Sequence, residues 1–200
     1  MKFPYGLSDF GKLVREGYWY QDRTDRLPVL ESAGDQLIFL RPRRFGKSLL
    51  LSLLEHYYDL NRADDFDVLF GGLAVGRDPT PLRNQFYVMK WDFSLVQAQG
   101  EVADIEAALH RHINGAIHAC AARYGWLGEI AIVPEDAIAS FTALLTRIRA
   151  TPHKLYLLID EYDNFANEVL MADRAGSQDR YEALLYGEGL LKTVFKAVKA

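Results

Sequence analysis

Two short runs in this sequence carry residue types that can do chemistry: Gly46-Lys47-Ser48 and Asp160-Glu161. Glycine, lysine and a hydroxyl residue in that order make the set a phosphate-binding loop uses. Backbone N–H groups wrap the phosphates, the lysine reaches the β- and γ-phosphates, and the hydroxyl reaches Mg²⁺. Two acids closing an apolar run supply the complementary half. Asp160 would serve the Mg²⁺ shell, and Glu161 would polarise an attacking water. A bare Gly-Lys-Ser/Thr should arise by chance in roughly one chain in ten of this length, so the elements around it have to decide.

Those elements have the right order. Residues 37–40 are an apolar run that predicts a buried strand, and 41–45 are polar with a proline, a turn. From 46 to 60 apolar residues stand at 49, 50, 51, 53, 54, 57, 58 and 60. That is too many for a one-sided helix, and it predicts one packed between a sheet and another layer. The N–H groups of its first turn point where the loop points. The phosphate set is then Arg43, Arg44, Phe45, Gly46, Lys47, Ser48 and Leu49, with Ser48 and Asp160 on the metal side. Arg41 stands where the general G-x-x-x-x-G-K-[ST] pattern has its first glycine, which implies a differently shaped loop entrance. Arg43 and Arg44 either reach phosphate oxygens, in this subunit or a neighbour, or form a solvated basic turn. The alternative for the whole stretch is an ordinary strand-to-helix turn with an exposed lysine.

The second run, 155–164, reads LYLLIDEYDN. Its continuous apolar part predicts a parallel strand covered on both faces, with the acids at the sheet's ligand edge. Asp163 reads as a helix cap. A further strand is predicted over 86–93, ending near Asp92, which is either a ligand-edge residue or a turn cap. Helices are predicted around 10–17, around 27–30 with Pro28 near the start, at 66–70, over 101–124, after Pro134-Glu135-Asp136, and over 165–200 with a break near 175–178. The aromatic cluster Tyr18-Trp19-Tyr20 reads as core packing or as a lid over a nucleotide. His110 with His112, and His118 with Cys120, lie two apart on different helix faces and do not pair as metal ligands.

Composition bounds the rest. The chain has 200 residues, is 50% apolar and 25% charged, and carries a net charge of −4. That suits one α/β domain with a sizeable core and gives no basic field for nucleic acid. A single cysteine, Cys120, excludes an internal disulfide and suits a reducing cytoplasm. No run approaches the 18 or so apolar residues of a membrane span.

Three segments in fixed order, FGKLVREGYWYQDRT, RPRRFGKSLLLSLL and LYLLIDEYDN, resemble the bacterial AAA-ATPase-like family of predicted P-loop ATPases. VLFGGLAV and FYVMKWDFS also look like family segments. The resemblance covers nearly the whole chain, and in that family Arg41 is the usual form. It implies a three-layer α/β P-loop fold with a mostly parallel sheet, a Walker A motif at Lys47 and a Walker B motif at Asp160-Glu161, and Mg²⁺-dependent ATP hydrolysis. Residues 1–36 would be an N-terminal extension and 37–200 the nucleotide-binding core. The resemblance also implies a strand between the two motif strands, coming after the Asp-Glu strand in sequence, which no apolar run here supplies. The expectation is therefore a C-terminally truncated core, weak or inactive alone. Many relatives add a restriction-endonuclease-like nuclease domain, so a nucleic-acid-processing partner is one alternative. A nucleotide-gated switch with little hydrolysis is another. Oligomerisation is left open.

Overall fold

The computed structural model describes residues 1–40, 42 and 44–171. They form a mixed α/β structure with a small parallel sheet of two strands. By contacts the chain divides into two units, Met1–Val88 and Met89–Ala200.

The first unit is helical. It holds α1 (Phe10–Arg15), α2 (Leu27–Ser32), α3 (Lys47–Tyr58), α4 (Phe66–Phe70) and α5 (Ala74–Arg77). Asp9 caps α1 by accepting from Lys12 N, and Pro28 stands in the first turn of α2, where its missing N–H costs nothing. The core is aromatic. Phe10 of α1 stacks on Phe70 of α4 at 5.1 Å, Tyr57 of α3 meets Phe70 edge-on at 5.4 Å, and Phe66 stacks on Phe70 at 5.3 Å. Burying each such ring contributes about 2–3 kcal/mol, and each ring pair about 1 kcal/mol more. The C-terminal end of α3 is pinned to the chain around residues 84–86. Asn84 donates to Asp59 O at 2.8 Å, its N–H reaches Tyr57 O at 2.9 Å, and Asp59 bridges to Phe86. Glu31 of α2 accepts from Tyr58 Oη and Thr80 Oγ1, at 2.9 and 2.7 Å.

The second unit begins within β1 (Phe86–Asp92) and continues with α6 (Val102–Arg123), α7 (Ala137–Arg149), β2 (Lys154–Asp160) and α8 (Tyr162–Met171). The two strands are neighbours and run parallel, joined by the crossover through α6 and α7. Asp136 caps α7, accepting from Ile138 N and Ala139 N at 3.0 and 2.9 Å. Ile105, Leu109, Ile113 and Ile117 form the buried stripe of α6, and Phe141, Leu144 and Ile148 that of α7. Trp91 packs on Phe141 at 5.6 Å, which seats β1 on α7.

Several expectations are corrected. Residues 37–40 lie in no ladder of the described residues and are not buried: Ile38 is 87% and Leu40 85% exposed. An apolar run specifies a strand only where a neighbouring edge takes up its N–H and C=O groups. The N-terminal half of α3, 47–51, is half-buried, and covering begins at Ser52. Strand β2 is not covered on both faces, since Tyr156, Leu157 and Ile159 are half-buried. Asp163 is in the first turn of α8 rather than at its cap. The aromatic cluster splits: Tyr20 packs on Phe10 at 5.5 Å, whereas Trp19 turns outward against Phe3. The helix expected over 165–200 is seen to Met171, and the rest lies outside the described residues.

Candidate functional site

In the first unit the loop before α3 turns tightly. Phe45 N reaches Pro42 O at 3.4 Å, Arg44 has φ 66°, and Gly46 has φ 79°. Gly46 occupies the N-cap of α3 in the left-handed region, which costs an L-residue about 1–2 kcal/mol and glycine almost nothing. Leu50 N closes the first helical bond on Gly46 O at 2.9 Å. As a glycine, Gly46 brings no capping side chain to this helix. Lys47, Ser48 and Leu49 are its first three residues and are half-buried, whereas Arg44, Phe45 and Gly46 are exposed. The loop thus brings Arg44, Phe45, Gly46, Lys47, Ser48 and Leu49 to one helix N-terminus, where backbone N–H groups and the dipole favour an anion. Arg43 lies outside the described residues.

In the second unit Asp160 closes β2 and is 5% exposed. Its Oδ1 accepts from the N–H of Glu161 at 3.1 Å. Glu161 has φ 57°, one of three non-glycine residues in the left-handed region among those described, and is half-buried. Its carbonyl accepts from Phe165 N at 3.1 Å, so the turn opens directly into α8. The carboxylate of Asp92, at the end of β1, accepts from Ser94 N at 3.1 Å and Ser94 Oγ at 2.6 Å. Of its two readings, the turn cap is the one seen. Lys90, Asp92, Arg111 and His112 line a shallow depression of about 450 Å³ beside α6. Burial pushes the His112 imidazole below its ordinary value, against the opposing pull of Asp92. His110 has a structural task, its Nδ1 accepting from Ala137 N at 3.0 Å.

Sequence reasoning gave no role to the Asp-Arg-Thr element, and the structure supplies one. Asp22 Oδ1 accepts from Thr24 N and Thr24 Oγ1, at 2.9 and 2.7 Å. Asp22 Oδ2 accepts from Ala74 N at 2.8 Å, and Thr24 Oγ1 accepts from Val75 N at 3.1 Å. Two residues far upstream in sequence thereby cap α5. Burial raises the Asp22 carboxyl, but the hydrogen bonds from Thr24 and Ala74 outweigh it and hold it below the usual range. Burial first and the Asp22 charge second push Tyr20 up to about 12. The legible signal was Asp-x-Thr, a turn signature whose remote partner no local pattern shows.

Among known proteins, no solved structure matches this chain. A curated relative, "Uncharacterized protein in vnfD 5'region" from Azotobacter chroococcum mcd 1, is 29% identical over 175 residues. That match covers 81% of this chain and 29% of the relative, so the chain spans less than a third of that protein's length. The family model described as "Predicted AAA-ATPase" matches residues 4–200. A match over nearly the whole chain, running through both the loop before α3 and the Asp160-Glu161 turn, places this protein in the AAA-ATPase-like family.

Proposed function

We propose that the chain is the nucleotide-binding part of a Mg²⁺-dependent ATPase with a P-loop fold. One observation carries this reading: Gly46 turns left-handed at the N-cap, bringing no side chain of its own, and delivers Lys47 and Ser48 into the first turn of α3. An anion there would meet backbone N–H groups, a positive dipole end and an ammonium together. Membership in a family of predicted AAA-ATPases makes ATP the anion of choice.

The donor chemistry suits Mg²⁺. Ser48 offers a hydroxyl and Asp160 a buried carboxylate, both hard oxygens, and this ion takes few protein ligands and the rest from phosphate and water. Bound with the nucleotide, the ion would neutralise charge developing on the phosphates. Lys47 would bind the β- and γ-phosphates as a point charge. Glu161 would hold the attacking water and take its proton. Arg44 is exposed at the loop and would add a second cation. In this proposal 37–200 is the nucleotide-binding core, with a three-layer α/β P-loop fold.

Calorimetry with Mg-ATP tests the reading on this chain. Wild type should bind and Lys47→Ala should lose most of the affinity. Equal affinity in the two would remove the P-loop assignment.

A further inference from the structure

The residue after Asp92 has no chemistry of its own, yet three elements meet on it. Phe93 is 1% exposed and begins the 3-10 turn Phe93–Leu95, which Asp92 caps through Ser94. Its ring meets Tyr162 edge-on at 5.9 Å, Phe165 at 5.8 Å and His112 of α6 at 5.9 Å. Tyr162 and Phe165 are the first and fourth residues of α8. They therefore bracket the helical turn that starts at Glu161, whose carbonyl takes the N–H of Phe165.

Glu161 is held where glutamate does not go unaided, at φ 57°. Its N–H reaches back to Asp160 Oδ1, so the peptide that joins the two acids also restrains the rotamer of Asp160. Something must keep the turn there, and Phe93 grips the two rings that come directly after it in the chain. We infer that Phe93 is a positioning residue for the Asp160-Glu161 turn. It fills the space beneath Tyr162 and Phe165, fixes the first turn of α8, and so holds the Glu161 backbone left-handed and the two carboxylates in their directions. The catalytic consequence rests on the roles proposed for Asp160 and Glu161; the positional part rests on the geometry alone.

The experiment compares wild type, Phe93→Leu and Leu144→Ala in the full chain. Leu144 is fully buried on α7 and serves as a core truncation elsewhere in the same unit. Amide exchange is followed by NMR. Phe93→Leu should speed exchange of the Glu161 N–H by about tenfold or more relative to amides in the middle of α7. Leu144→Ala should not single out Glu161. Glu161 exchange that stays at the wild-type rate, or rises only in step with α7, overturns the inference. Where wild type turns over ATP, Phe93→Leu should lower kcat several-fold with KM for ATP little changed, and Leu144→Ala should leave both. An unchanged kcat in Phe93→Leu alongside faster Glu161 exchange overturns the catalytic consequence, and the exchange result upholds the positional part. Failure of wild type to bind ATP would instead sink the ATPase reading, and the exchange measurement would still decide the role of Phe93.

Discussion

Glu161 is the residue where backbone cost and side-chain chemistry pull apart. Its left-handed conformation costs about 1–2 kcal/mol, a cost that would be relieved by glycine. Glu161→Gly should therefore cost no stability in thermal unfolding, whereas glycine at an ordinary helical position costs about 1 kcal/mol. Glu161→Gln keeps the size and loses the base. In a protein that turns over ATP, it should retain nucleotide binding while hydrolysis falls by roughly 10²–10⁴. Wild-type hydrolysis in Glu161→Gln would show that another group handles the water. The acids themselves were legible in the sequence, because an apolar run ending in Asp-Glu is a local pattern. The backbone strain was not, since it arises from the seating of α8 on Phe93, far earlier in the chain.

At the level of the element, the tie from Asp22 and Thr24 to α5 makes the sharpest forecasts. Asp22→Ala removes three acceptor contacts and should destabilise the first unit by about 1–2 kcal/mol, seen as a lower urea midpoint. The Asp22 carboxyl sits below its ordinary value when folded. Its contribution is thus complete above the unfolded value of about 3.9 and is lost as pH falls through the lower folded value. Asp22→Asn should flatten the acid limb of the stability profile in that window, and an unchanged profile would remove the tie from the account. Gly76 gives a steric counterpart. A Cβ there would run into the backbone carbonyl of Phe70, which cannot step aside, so Gly76→Ala should destabilise by several kcal/mol in the same urea titration. Most helices and both strands were readable from periodicity and caps, and Asp136 is the clearest case. Residues 37–40 were misread because an apolar tetrapeptide states a preference for burial and says nothing about which edge provides it.

At the scale of the molecule, the exposed tetrapeptide at 37–40 stands out among the described residues as at odds with a settled surface. Ile38 and Leu40 are 87% and 85% exposed, and Phe45 a few residues on is exposed too. Replacing Ile38 and Leu40 with lysine should leave the unfolding free energy of this chain within about 0.5 kcal/mol of wild type and reduce its self-association in light scattering. A large loss of stability would mean the segment is covered in solution. No helix among the described residues is long and apolar enough to cross a membrane.

The burial of Cys120 has a practical consequence. The sequence holds one thiol, and it sits on α6, 4% exposed, in the stripe that packs the second unit. A disulfide reagent can reach it only when that helix lifts. The rate of modification, measured against a model thiol, is then a clock for a single opening event, with no second sulfur to blur the reading. Run with and without Mg-ATP, that clock would register whether nucleotide tightens the half of the molecule that carries the acids.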